Sequence, residues 1–219
     1  MSFWPFPKTA IEELDLGQRL GPALDVGSGS GTLADRLRTH GIDLLRLDLA
    51  PTAQLRADAM AMPFATARLG ACVAANLVRH FVPSQRRDFF LEMARVLVAR
   101  GSLVLVEDLP EASNAAEANY RRALDLLALV DTSRGAALEL DPLLSELAPD
   151  FGQPVLDAEV MNEEPLVDPA TPLRWLALHG LAGDARLLKL ERNVEREGMR
   201  YGRFRICCLR RGANAWATL

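Results

Sequence analysis

Cysteine is scarce, with Cys72, Cys207 and Cys208 the only three in 219 residues. Cys207 and Cys208 are sequence neighbours that point to opposite faces of a strand, and no CxxC spacing exists. Neither a disulfide framework nor a cysteine metal site is expected. The three thiols read as small apolar side chains in a reducing compartment. Long apolar runs are also missing. Leu103 to Val106 and Leu126 to Val130 fall far short of the ~20 residues that a membrane span needs. Met1 to Pro7 has neither the basic nor the apolar stretch of a secretory signal. No repeat or low-complexity tract occurs. The expectation is a soluble, cytoplasmic chain with no metal and no membrane partner.

The composition is otherwise ordinary. Hydrophobic residues make up 49% and charged residues 25% of the chain, values typical of a globular protein. The length suits one large domain. Charge is uneven. Arg186 to Arg211 holds nine basic residues against three acids, so this segment is +6 in a chain of net −4. A basic end can mark a nucleic-acid surface. The alternative, which interspersed acids favour, is a solvated helix face followed by the exposed face of an edge strand.

Strand-like and helix-like segments alternate through the first half, the pattern of a parallel sheet covered by helices. Ala23 to Val26 reads as a buried strand, followed by a glycine-rich turn and a helix from Thr32 to Thr39. Ile42 to Leu47 is the second strand, closing on Asp48, and a short helix is expected from Pro51. A brief third strand precedes Asp58, and Leu69 to Ala75 is the fourth. Apolar residues at helical spacing predict a helix over Pro83 to Val98, and Ser102 to Val106 is the fifth strand. Beyond it, helices are expected at Ala112–Val130, Asp141–Leu147, Thr171–His179 and Asp184–Glu197. Strands are expected at Val155–Val160 and Arg203–Leu209.

The turn after the first strand reads Gly27-Ser28-Gly29-Ser30-Gly31. Glycines there allow left-handed backbone and close approach of a ligand. The spacing is not the GxGxxG of dinucleotide proteins, nor GxxxxGK[ST]. Asp25, two residues upstream, would repel a pyrophosphate but favour a cation.

Leu24-Asp25-Val26-Gly27-Ser28-Gly29-Ser30-Gly31 resembles the first motif of the class I S-adenosylmethionine-dependent methyltransferases, especially the methyltransferase-11-like group acting on small molecules. The likeness runs from about Ala23 to Asp108. It includes Leu47-Asp48-Leu49, Ala57-Asp58-Ala59-Met60 with Met62-Pro63-Phe64, Asn76-Leu77-Val78-Arg79-His80-Phe81, and Arg95-Val96-Leu97. The resemblance implies a Rossmann-like α/β fold. Its sheet would be seven-stranded and mostly parallel with an antiparallel last strand, with helices on both faces and helical lid insertions. It implies a single domain over 1–219, with a cofactor-binding half at 20–110 and sheet completion plus lid elements at 111–219. S-adenosylmethionine is the implied cofactor, held by Asp25, Gly27, Ser28, Gly29, Gly31, Asp48, Leu49, Asp58, Ala59, Met60, Asn76 and Leu77. Asp48 would take the ribose hydroxyls and Asp58 the adenine amino group. Met60, Met62 and Phe64 suit either adenine lining or plain core.

The implied reaction is methyl transfer to a small-molecule acceptor by in-line displacement. His80 is the candidate general base, because its ordinary pKa suits neutral pH. Arg79 would meet an anionic substrate group or a surface acid. Tyr120 and Arg121, on the helix after the fifth strand, are substrate-side candidates, and an amphipathic helix accounts for them equally well. The alternatives are an RNA methyltransferase using the basic segment, or a non-catalytic cofactor-binding partner. Overall acidity and the absence of an Asn/Asp-Pro-Pro-aromatic motif weigh against nucleic acid. The sequence defines neither the acceptor nor an oligomeric state.

Overall fold

In the computed structural model of this chain, residues 6–131, 140–161 and 167–213 are described. They divide into two compact units. The larger comprises 6–107, 140–158 and 205–213, and the smaller 108–131, 159–161 and 167–204.

The larger unit is built on the sheet. Its strands are β1 (Ala23–Val26), β2 (Leu44–Asp48), β3 (Leu55–Arg56), β4 (Leu69–Ala75), β5 (Leu97–Asp108), β6 (Leu156–Val160) and β7 (Phe204–Arg210). They lie in the order β3-β2-β1-β4-β5-β7-β6. β1 is parallel to β2 and β4, β2 to β3, and β4 to β5. β7 runs antiparallel to β5: Arg100 N–H donates to Arg211 O at 3.0 Å and Arg211 N–H to Gly101 O at 2.9 Å. The order reverses direction between β1 and β4, so a crevice opens beyond their carboxyl ends.

β1 and β4 lie at the centre and are apolar nearly throughout, as a strand covered on both faces must be. Leu24, Val26, Cys72, Val73 and Ala74 have no exposed surface. Helices α1 (Lys8–Gln18), α2 (Thr32–Arg38), α3 (Pro83–Val96) and α5 (Leu140–Phe151) complete the unit. α1 was not expected from its sequence. It sits so close to β4 that a Cβ on Gly70 would lie 1.9 Å from the Gly17 carbonyl oxygen.

Several boundaries differ from expectation. No helix forms at Pro51; Asp48 Oδ1 instead accepts the Ala50 N–H at 2.8 Å and folds the chain into a turn. β5 begins at Leu97, five residues early, because Ala67 and Arg68 N–H already pair with the Arg95 and Val96 carbonyls. β7 is not an edge strand with an exposed face. It lies between β5 and β6, and both Cys207 and Cys208 are fully buried. All three cysteines are free, and burial pushes each thiol pKa up, that of Cys208 to about 12.

The smaller unit packs α4 (Ala115–Val130), α6 (Ala170–Leu176), a π-helical turn (Ala177–Leu181) and α7 (Ala185–Glu197) around Ala123, Leu126, Leu176, Leu187 and Leu190. Asn114 caps α4, its side chain accepting the Glu117 N–H at 3.0 Å. Asp184 caps α7, which ends at Gly198. The predicted Thr171–His179 helix instead leaves α geometry after Leu176, where His179 and Gly180 have non-helical angles. His179 stacks on Trp175 with ring centroids 3.7 Å apart. Among the described residues no helix is long and apolar enough to cross a membrane.

Four of the nine basic residues between Arg186 and Arg211 are paired with acids. In the smaller unit Arg186 pairs with Asp184 at 2.8 Å and Arg203 with Glu159 at 2.5 Å. In the larger, Arg205 pairs with Asp157 at 2.6 Å and Asp141 at 2.8 Å, and Arg210 with Glu13 at 2.6 Å. Buried Arg211 donates to the Leu97 carbonyl.

Candidate functional site

The larger unit gathers most of the predicted residues at the carboxyl ends of β1, β2 and β4. After β1 the chain passes through left-handed backbone at Gly27, Gly29 and Gly31, with φ of 71°, 51° and 82°. A Cβ on Gly27 would strike Leu77 at 2.7 Å, whereas one on Gly29 would meet nothing within 4 Å. The loop is therefore tight at its base and open at its tip. Gly27 and Ser28 N–H both donate to the Leu47 carbonyl, at 2.8 and 3.1 Å. Gly29 N–H donates to Asp48 Oδ2 at 2.8 Å. Asp48 thus holds one backbone N–H with each oxygen and keeps a further lone pair on each, the set a vicinal diol requires.

Asp25 is 2% exposed, and its Oδ2 is buried without a hydrogen-bond partner. Burial raises its pKa to about 7, the Asp48 charge adds to the rise, and Arg46 opposes it. Arg46 stands opposite Asp25 in the β1–β2 register. Ser28 Oγ is likewise buried and unpartnered. An orphaned carboxyl oxygen is costly to bury, and a cationic ligand group beside it would favour the ionised form. S-adenosylmethionine carries a sulfonium and an ammonium, a ribose diol and no phosphate, so these residues fit it.

Beyond β3, Asp58 is exposed and its Oδ1 accepts the Met60 N–H at 2.9 Å, forming a turn. Ala59 and Met62 are buried, Met60 and Phe64 half-buried, and Leu49 is 66% exposed.

After β4, Asn76 adopts φ 52° and donates its N–H to the Val106 carbonyl at 2.7 Å. A 3-10 turn over Val78–His80 follows. Arg79 is neither a surface side chain nor open to a ligand. It is 7% exposed, its Nε donates to Glu107 Oε2 at 2.9 Å, and its Nη2 donates to the Asn76 side-chain carbonyl. Glu107 Oε1 also accepts the Val78 N–H at 2.9 Å. This buried pair fixes the loop, and His80 at its end is exposed.

Tyr120 and Arg121 belong to the smaller unit. There Tyr120 meets Tyr201 edge-on, centroids 4.9 Å apart, and Arg121 donates to the Leu109 carbonyl. Burial and the Asp108 charge raise the Tyr201 pKa. Sequence reasoning missed Arg46, Glu107 and Glu92. The available signal was a charge inside an otherwise apolar strand, as in Leu44-Leu45-Arg46-Leu47.

Residues 24–105 match the model of a methyltransferase domain family. No curated protein matches the chain by sequence. Three solved structures share its fold. A Bacillus halodurans C-125 protein, proposed to be a methyltransferase, is 18% identical with TM-score 0.59, covering 93% of this chain and 99% of that one. A protein that converts a disulfide bond into a thioacetal in echinomycin biosynthesis is 17% identical with TM-score 0.57, covering 94% and 81%. An S-adenosylmethionine-dependent methyltransferase from Archaeoglobus fulgidus is 13% identical with TM-score 0.55, covering 91% and 90%. The matched segment carries the glycine loop, Asp48 and Asn76, so residues 24–105 are similar to a methyltransferase domain, on a fold shared with S-adenosylmethionine-dependent methyltransferases, and this supports an enzyme of methyl transfer.

Proposed function

We propose that this enzyme methylates a small-molecule acceptor. The observation that carries this reading is the pairing of four of the nine basic residues between Arg186 and Arg211. Arg186, Arg203, Arg205 and Arg210 are each paired with acids inside their own unit. A phosphate backbone would need those cations free. The structural relative in echinomycin biosynthesis acts on a natural product, which supports the same class.

In this reading Asp48 accepts the ribose hydroxyls and Asp25 balances the cationic end of the cofactor. Asp58 faces the adenine amino group, with Ala59 and Met60 beside it. The backbone of Gly27, Ser28, Gly29 and Gly31 lets the ligand approach closely, while Leu49, Asn76 and Leu77 border it. Bound S-adenosylmethionine supplies a methyl already activated by the sulfonium. The protein's task is then to align the acceptor and exclude water, and positioning of this kind is worth roughly 7–11 kcal/mol in favourable systems. His80 is the proposed base for an acceptor that must lose a proton. Arg79 positions that loop through Glu107 and Asn76. Tyr120 and Arg121 are the substrate-side candidates of the smaller unit. A cytoplasmic setting suits three unpaired buried thiols.

The test is turnover on a panel of small alcohols, amines, thiols and acidic carbons, read as release of S-adenosylhomocysteine. Methylation of at least one small acceptor, abolished by Asp48→Ala, is expected. Methylation of RNA alone would overturn the small-molecule assignment.

A further inference from the structure

Glu92 and Arg95 sit three residues apart near the end of α3, a spacing that commonly gives a simple surface ion pair. Here they do more. Arg95 Nε and Nη2 donate to Glu92 Oε2 and Oε1, both at 2.6 Å. The same guanidinium donates from Nη1 to the Phe64 carbonyl at 2.7 Å and from Nη2 to the Met62 carbonyl at 3.2 Å. Glu92 Oε1 accepts the Met62 N–H at 2.6 Å. The chain between Arg56 and Leu69 contains no helix or strand. Its middle is therefore anchored by these two side chains, and its end by Ala67 and Arg68 N–H on the α3 carbonyls.

Only arginine has the planar fork to serve a carboxylate and two carbonyls at once. Burial works against the Glu92 carboxylate, but hydrogen bonds from Arg95 and the Met62 N–H, with the Arg95 charge, hold its pKa below the usual range. The Glu92 hydrogen bond and charge raise that of Arg95 against burial. The pair stays ionised at neutral pH and does not loosen by titration.

We propose that Glu92 and Arg95 are positioning residues for adenine recognition, clamping Met62 and Phe64 so that Asp58, Ala59 and Met60 keep the shape that meets the base. This rests on the reading above that Asp58 faces the adenine amino group. Neither clamp residue touches the cofactor in this account. Both act through the segment they hold, and their loss blurs selection of the base more than it lowers stability.

The experiment uses the full-length protein and calorimetric affinities for S-adenosylhomocysteine and for S-inosylhomocysteine, whose base carries an oxo group in place of the amino group. The wild type prefers the adenine ligand. Arg95→Lys keeps the charge but loses the fork, and is expected to weaken S-adenosylhomocysteine binding about tenfold or more and to move the preference ratio toward one. Asp58→Asn keeps the turn but presents a donor, and is expected to lower the ratio similarly. The double variant falls no further than Asp58→Asn alone. Should Arg95→Lys not fold, Glu92→Gln is read in the same way. An unchanged ratio in Arg95→Lys or Glu92→Gln, with a lowered ratio in Asp58→Asn, overturns the clamp and leaves the adenine reading standing. An unchanged ratio in Asp58→Asn overturns the adenine reading and the clamp with it.

Discussion

Gly29 donates its backbone N–H to Oδ2 of Asp48 at 2.8 Å, tying the open tip of the loop after β1 to the end of β2. The carboxylate therefore shapes the loop as well as offering lone pairs to a ligand. Asp48→Ala loses both functions, and at least tenfold weaker S-adenosylhomocysteine binding is expected, since a hydrogen bond to a charged group contributes about 1.5–3 kcal/mol. His80→Ala should leave that affinity within about twofold. Calorimetry on the two variants checks the division, which fails if His80→Ala is the more damaging.

Asp25 makes a pH-dependent prediction. Its pKa is about 7 in the folded protein against 3.8 ordinarily, chiefly through burial. Between those values the folded state holds a proton that the unfolded chain has released, so this group's contribution declines as pH rises from ~4 to ~7. Asp25→Asn cannot ionise. Denaturant titration should show the variant gaining stability over wild type from pH 5 to pH 8. S-adenosylhomocysteine affinity for the wild type should climb from pH 6 to pH 8, because its ammonium group favours the ionised form. A stability gap that stays flat with pH would remove the assigned burial cost.

Arg79 and Glu107 are 7% and 1% exposed and hold each other at 2.9 Å. Removing one member of such a pair strands a buried charge, at a cost of about 3–5 kcal/mol. Arg79→Met and Glu107→Leu should each destabilise by this amount, and the double variant by clearly less than their sum. Strict additivity in a double-mutant cycle would show that the pair is not coupled.

Gly70 tests the α1 contact. A methyl there would lie 1.9 Å from Gly17 O, 2.6 Å from Gly21 N and 2.8 Å from Gly21 O, all backbone atoms that cannot swing aside. Gly70→Ala should cost at least ~3 kcal/mol by overpacking. Gly41→Ala, with nothing near its Cβ, should lose only the ~1–2 kcal/mol of a left-handed alanine. Melting curves of the two rank them, and equal losses would contradict the packing.

Much of the larger unit was legible because its signals are local. The glycine spacing after Val26, the run Leu69–Ala75 and the periodicity of Pro83–Val98 each declare an element within a few residues. What escaped depends on distant partners. α1 is held by glycines 17, 21 and 70, which no local period links. Arg79 read as a substrate-side or surface cation because its partner, Glu107, lies at the end of another strand. Glu92 and Arg95 looked like an ordinary helix pair, since the carbonyls they hold belong to a segment some thirty residues away. In the basic tail the sequence favoured a solvated helix face and an exposed strand face, but acids 13, 141, 157 and 159, which pair with Arg203, Arg205 and Arg210, come from distant positions.

The most direct measurement is thermal unfolding with ligand. S-adenosylhomocysteine at a hundred times its Kd should stabilise the protein by about 2.7 kcal/mol, which is roughly 5–10 °C in Tm for a chain of this size. NAD at the same concentration should leave the Tm unchanged. No rise with S-adenosylhomocysteine, or an equal rise with NAD, would contradict the assignment of this site.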